Sequence, residues 1–170
     1  MGRRRVVAGI VLAMGLAFVA TGAGAVESDP LPVPEGGARQ HAVAAYNDGV
    51  KLMVEKRYAA AQLKFEEALA ADERLAEAHN NLAFSLRMQG THNRERALRH
   101  YDRALELKPD LAQAYMYRGV LFTQLGDMAR ARADHIKLLT LDRQLAARLE
   151  RIMAGGGGRD EDDGLTPQYD

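Results

Sequence analysis

The chain has 170 residues, with 23 basic and 23 acidic side chains, 47% hydrophobic residues and neither cysteine nor tryptophan. This length suits one domain with flexible ends rather than two independent cores. The missing cysteines exclude disulfides, thiolate metal sites, c-type haem attachment, iron–sulfur clusters and a cysteine nucleophile. The balanced charge argues against a general nucleic-acid-binding protein, which needs a concentrated basic surface.

The first 25 residues have the pattern of a secretory signal peptide. Three arginines at 3–5 form a basic start, an apolar run covers 6–20, and small residues at 23–25 allow cleavage after Ala25. The alternative is an uncleaved membrane anchor formed by residues 6–26, which carry no charge. Four glycines and the terminal Ala-Gly-Ala favour cleavage. We therefore expect an exported, periplasmic protein, or one anchored by residues 6–26 that faces the periplasm.

A linker is predicted after the signal peptide. Residues 26–40 contain three prolines and two adjacent glycines, which oppose both helix and strand. The segment is therefore expected to be extended and disordered. The folded domain is predicted to begin at residue 41.

The body of the chain, residues 41–153, is predicted to be all-α. It is rich in Ala, Leu, Glu, Arg and Lys, and Pro109 is its only proline. Apolar residues recur at helical spacing, as in Val50, Met53 and Val54, whereas no stretch alternates with period two over the length of a strand.

An internal repeat with a period near 34 residues runs through this body. Small residues recur at three positions of the repeat. An aromatic residue lies four positions after one of these small residues, as in Ala61 and Phe65 or Ala97 and Tyr101. The residues that carry the pattern are Gly49, Ala61, Phe65, Ala68, Ala83, Ala97, Tyr101, Ala104, Gly119 and Ala131. The offsets of 34 and 36 between them place a two-residue insertion in the turn at 90–95, where extra residues are best tolerated.

A helix–turn–helix unit of this period resembles the tetratricopeptide repeat family. The matching residues define three units, at about 42–75, 76–111 and 112–145. The resemblance implies a right-handed α-solenoid whose small residues let the two helices of a unit approach closely. Phe65 and Tyr101 are then expected to fill the space between neighbouring units. Because one unit buries too little apolar surface alone, three units are about the minimum for a stable array.

The array is predicted to end with a capping helix at about 142–153. Leu145, Leu149 and Ile152 form its apolar stripe. The third unit also departs from the pattern, because His135 replaces an aromatic residue and Leu138 replaces a small one.

By the same resemblance, the first helix of each unit lines a concave, partner-binding groove. The residues expected there are Tyr46, Val50, Met53, Asn80, Asn81, Phe84, Arg87, Met116, Tyr117 and Val120. Asparagine amides can bind a peptide backbone and methionines adapt to irregular apolar partners, so we expect an apolar or amphipathic partner segment. Val50, Phe84 and Val120 fit a buried position equally well. Tyr46, Asn81 and Met116 are the better candidates for contact.

One subgroup of the family clamps a partner's C-terminal carboxylate with lysine, arginine and asparagine side chains. The positions that correspond here are Tyr46, Val50, Asn81, Gln113 and Tyr117. Because only Asn81 fits, this mode of binding is excluded.

Catalysis is not expected. No two of the five histidines are spaced four apart with a carboxylate between them, as a zinc hydrolase requires. No glycine loop follows a strand, and there is no Gly-x-Ser-x-Gly turn. The sequence therefore predicts no catalytic residue, no metal and no cofactor.

The C-terminal residues 154–170 form an acidic tail with one arginine and five acids. It is either an acidic interaction arm or, as its composition favours, a solvated end.

The whole sequence predicts an exported, non-enzymatic scaffold that binds another protein of the cell envelope. The alternatives are a structural or self-assembling homo-oligomeric subunit, and an accessory or maturation chaperone of an exported enzyme complex.

Overall fold

The computed structural model describes residues 30–33 and 37–155. The predicted signal peptide, the rest of the linker and all but the first two residues of the acidic tail lie outside the described residues. Within these ranges the chain is all-α, with no strand and one short 3₁₀-helix. The α-helices are α1 (Gly37–Val54), α2 (Tyr58–Ala71), α3 (Ala76–Met88), α4 (Arg94–Leu107), α5 (Ala112–Gln124), α6 (Met128–Leu141) and α7 (Arg143–Met153). None of them is long and apolar enough to cross a bilayer.

The first helix begins earlier than the sequence indicated. α1 starts at Gly37, so residues 37–40, predicted as the end of the linker, are helical. The physical reason is local: Ala38, Arg39 and Gln40 are good helix formers, and no proline follows Pro34 before the end of α1.

The helices pack in consecutive pairs: α1 on α2, α3 on α4, and α5 on α6. α3 also contacts α1, α2 and α5, so the middle pair joins the outer two. One main cluster of buried side chains extends from Ala45 in α1 to Leu149 in α7. The described part of the chain is thus a row of helix pairs with a continuous core.

The predicted insertion within the second unit lies where the sequence placed it. Three residues connect α1 to α2, and three connect α5 to α6. Five residues connect α3 to α4, and Thr91–Asn93 form the 3₁₀-helix within them. The two extra residues are therefore accommodated in a turn without disturbing either helix.

The residues that carry the repeat are all buried. Two of them show why the position must be small. A Cβ atom on Gly49 would lie 2.6 Å from Cε1 of Phe65, and one on Gly119 would lie 2.5 Å from Cδ2 of Leu149. Each distance is below van der Waals contact, so a side chain at either position would require the facing side chain to move.

α7 covers the end of the third pair by packing on both α5 and α6. Asp142 caps its N-terminus, because Oδ1 accepts hydrogen bonds from the backbone N–H groups of Gln144 at 2.8 Å and Leu145 at 3.0 Å. Leu149 is fully buried, and Leu145 and Ile152 are half-buried against the core. The apolar stripe of α7 therefore faces the rest of the domain.

Candidate partner-binding site

The ten residues predicted to bind a partner lie on the first helix of each pair. Three are on α1 (Tyr46, Val50, Met53), four on α3 (Asn80, Asn81, Phe84, Arg87) and three on α5 (Met116, Tyr117, Val120). Because α3 contacts both α1 and α5, these residues belong to one layer of three adjacent helices, the α1–α3–α5 layer.

All ten side chains are buried, with 5% or less of their surface exposed. Tyr46, Asn81 and Met116, expected to contact a partner most readily, are 2%, 1% and 0% exposed. They are therefore packed inside the chain and do not line an open groove. Helical periodicity identifies an apolar face but not what packs on it. A role in partner binding stays a prediction, and it now requires this layer to open.

Aromatic side chains connect the layer to α2 and join two of its own helices. The ring of Tyr46 lies 5.8 Å from that of Phe65, and the ring of Tyr58 lies 6.0 Å from that of Phe84 in an edge-to-face contact. Phe84 also packs on Tyr117 across the α3–α5 boundary, with 5.0 Å between centroids. These geometries are favourable for aromatic pairs, so they stabilise the first pair and its contacts, through α3, with the other two.

Polar side chains are also buried in this layer. Nδ2 of Asn80 donates a hydrogen bond to Oδ1 of Asn81 at 3.0 Å, and Nδ2 of Asn81 donates to the hydroxyl of Tyr46 at 3.1 Å. Oδ1 of Asn80 and Oγ of Ser85 are buried with no hydrogen-bond partner in the described chain. Such groups are rare in folded proteins, because each one keeps the cost of its lost hydration.

Arg87, near the end of α3, is only 4% exposed. Its guanidinium carbon lies 5.3 Å from the centroid of the Phe84 ring, which is a cation–π geometry. α3 thus carries amide, hydroxyl and guanidinium groups inside an otherwise apolar layer.

Sequence reasoning missed Asn47, which binds the backbone of Leu31 with both atoms of its amide. Oδ1 accepts from the Leu31 N–H and Nδ2 donates to the Leu31 carbonyl, each at 2.8 Å. A signal was present, since Asn47 precedes Asn81 by one repeat of 34 residues.

An ion-pair network between the last two pairs was also missed. Arg118 donates to both carboxylate oxygens of Asp134, from Nε at 3.1 Å and from Nη2 at 2.6 Å, and its Nη1 donates to Asp102 at 2.7 Å. Asp134 is buried and Asp102 is exposed. Arg118 therefore ties α4, α5 and α6 together.

Two of the histidines form a pair that connects α3 to α4. Their Nδ1 atoms are 3.0 Å apart, and Nε2 of His79 lies 3.0 Å from the carbonyl oxygen of Glu73. Because that carbonyl only accepts, Nε2 of His79 carries the proton, and Nδ1 of His100 donates to Nδ1 of His79. Burial lowers the pKa of both rings, that of His100 to about 4.

This pair is not part of a larger cluster of metal ligands. Among residues 30–33 and 37–155, no three histidine, aspartate or glutamate side chains are placed to hold a metal ion. The two histidines form a hydrogen-bonded contact between α3 and α4.

Comparison with protein-family models gives no match for this sequence, and comparison with curated proteins gives none either.

Proposed function

We propose that the chain is an exported scaffold of three tetratricopeptide-like units in a solenoid, and that it binds an extended segment of a cell-envelope protein along the α1–α3–α5 layer. The consecutive pairing of the helices supports the solenoid. So does the tight packing at Gly49, where the ring of Phe65 from the second helix of the same pair lies 2.6 Å from the position of a Cβ atom.

The buried polar side chains of α3 carry the proposal of partner binding. Oδ1 of Asn80 is buried without a hydrogen bond, which lowers the stability of the fold by about 1–3 kcal/mol. Stability alone therefore does not explain an asparagine at this position. An extended peptide offers a backbone N–H at every residue except proline, and this carbonyl oxygen can accept one.

Binding along this layer requires its burial to be relieved. Asn80 is 3% and Arg87 is 4% exposed. A partner therefore reaches them only after the helices that pack on α3 move away from it. We therefore expect association to be slow compared with docking on an open surface.

The test is a photo-cross-linking pull-down from envelope extract with the full chain. The variant Asn80→Ala/Arg87→Met removes the polar groups of α3. The matched control, Arg103→Ala/Glu106→Ala, removes an exposed ion pair of α4. A protein captured by the native chain and the control, but lost from the α3 variant at unchanged helicity, supports the proposal. Equal capture by all three overturns it.

A self-associating subunit is the second candidate, and one observation favours it. Ile136 and Leu139 lie three apart on α6, and their side chains are 64% and 49% exposed. Ile136→Lys/Leu139→Lys would abolish a concentration-dependent mass in light scattering if this face joins two copies. A mass equal to one chain at all concentrations excludes this role.

A further inference from the structure

The segment Pro30–Val33 lies against α1. Leu31 is beside Asn47, about 15 Å along the helix from Gly37 at a rise of 1.5 Å per residue. Leu31 therefore packs on the middle of α1 and not at its N-terminus. Leu31 is half-buried against the main core cluster, whereas Pro30, Pro32 and Val33 are exposed.

The contact with Asn47 has the geometry of peptide recognition. One amide binds both the N–H and the carbonyl of a single residue, which fixes the position and the direction of the segment. Pro30 and Pro32 on either side have no N–H, and a proline-flanked residue keeps an extended backbone before binding. Ordering such a segment costs little conformational entropy.

We propose that Asn47 is a backbone-binding site of the first helix, that Pro30–Val33 occupies it as an intramolecular ligand, and that an extended, proline-flanked segment of a partner binds there by displacing it. The last part rests on the proposed function. The first part does not, since it concerns only a contact within the chain.

The covalent connection between Pro30–Val33 and α1 favours binding of this segment to Asn47 over binding of a separate molecule. Leu31 and Asn47 belong to one chain and are 16 residues apart, so the segment competes as an intramolecular ligand, with an effective concentration that a free partner segment must exceed. A partner segment with only the same contacts loses to this ligand. A successful partner therefore makes additional contacts farther along the α1–α3–α5 layer.

The first experiment is hydrogen exchange of the Leu31 amide in the full chain, followed by NMR. We expect Asn47→Ala to speed this exchange about tenfold or more, because the N–H loses its acceptor. Asp48→Ala, the neighbouring exposed position, is the control and leaves the rate unchanged. Equal rates in native chain and Asn47→Ala overturn the site.

The second experiment tests displacement with a synthetic peptide of residues 28–35 and reads the side-chain amide signal of Asn47. Leu31→Pro removes the N–H that Asn47 accepts, so the peptide, at millimolar concentration, is expected to shift this signal in the Leu31→Pro chain. In the native chain the shift should be at least fivefold smaller at the same concentration. An unshifted signal in the Leu31→Pro chain overturns displacement, and it leaves the α3 pull-down as the separate test of the proposed function.

Discussion

The first and third helix pairs fill the same repeat position in different ways. Gly49 of α1 and Gly119 of α5 are equivalent, and each faces a large side chain where its own Cβ would be. Phe65, from the second helix of the same pair, fills the first site. In the third pair the residue equivalent to Phe65 is His135, and the site is filled by Leu149 from α7 instead. The repeat thus fixes the space beside the first helix, but not the element that fills it.

The two pairs also differ in what else joins their helices. Tyr46 of α1 packs on the ring of Phe65. α5 and α6 are joined instead by the bidentate ion pair of Arg118 and Asp134. The first pair is therefore held mainly by apolar contacts, and the third adds a buried charge pair.

Truncating the two filling side chains is expected to have the largest effect. Phe65→Ala should lower the free energy of unfolding by about 3–5 kcal/mol and Leu149→Ala by about 2–5 kcal/mol, because both side chains are fully buried. Urea unfolding followed by circular dichroism measures both. Leu63→Ala, at an exposed position of α2, is the control and should stay within about 0.5 kcal/mol. A loss under about 1 kcal/mol for Leu149→Ala would contradict the filling role of α7.

Breaking the buried ion pair should have the next largest effect. Asp134→Ala leaves Arg118 half-satisfied by Asp102 alone, so we expect a loss of about 2–4 kcal/mol in the same urea assay. Asp102→Ala removes only the exposed partner and should cost about 0–1 kcal/mol. Equal losses for the two variants would show that burial of Asp134 is unimportant.

Adding one methyl group to each glycine sharpens the comparison directly. Gly49→Ala forces a Cβ against the rigid ring of Phe65, and we expect it to cost about 1–3 kcal/mol. Gly119→Ala meets the end of Leu149, a flexible side chain whose methyls can turn away. That relief, and the better helix propensity of alanine, should keep its cost below about 1 kcal/mol. Similar losses at both sites would argue that Leu149 is held as rigidly as the ring.

Acid should weaken the middle pair through its histidines. The pKa of His100 is about 4 in the folded chain, because of burial first and then the charges of His79, Arg96 and Arg99, with Glu66 opposing. In the unfolded chain the pKa is about 6.5, so between these values the unfolded state binds more protons. The contribution of neutral His100 to the free energy of unfolding is therefore fully present above pH 6.5 and is lost as the pH falls towards 4.

We expect this loss to be about 1 kcal/mol, because solvent screens a half-buried ring. Urea midpoints measured between pH 7 and pH 5 give the slope. The variant His79→Leu/His100→Leu should remove it over that range. An unchanged slope in the variant would assign the acid sensitivity to other groups.

The smallest expected effect is a gain of stability from a substitution in the connection between α1 and α2. Lys56 has φ of 57°, a left-handed conformation. The equivalent residue in the connection between α5 and α6 is Gly126, with φ of 77°. Because only glycine adopts this region without strain, Lys56→Gly should raise the free energy of unfolding by about 0.5–1 kcal/mol. Lys51→Gly, inside α1, is the contrasting variant and should destabilise by about 1 kcal/mol. A loss of stability for Lys56→Gly would show that its side chain makes a contact worth more than the strain.

The sequence was sufficient for what is periodic. Apolar spacing predicted the helices, and the small position beside the second helix of the same unit is confirmed at Gly49. At Gly119 the neighbour is Leu149 of α7 instead, and Phe65 fills a space within its own pair and not, as predicted, between units. The sequence was insufficient for contacts between residues far apart in the chain. Nothing in the pattern pairs Arg118 with Asp134 or His79 with His100, because each depends on how two helices are rotated against each other. The exposure of the α1–α3–α5 layer was misjudged for the same reason.

The docking of α7 has a consequence for how such a chain can lengthen. A further unit appended after Leu141 would meet α7, whose Leu149 already occupies the space beside Gly119. A unit inserted at the connection after Ala71 or after Leu107 would instead meet the same kinds of neighbours that the existing pairs have. We therefore expect an inserted helix pair to be accommodated after Ala71 or Leu107 more readily than after Leu141, where Leu149 already fills the space beside Gly119.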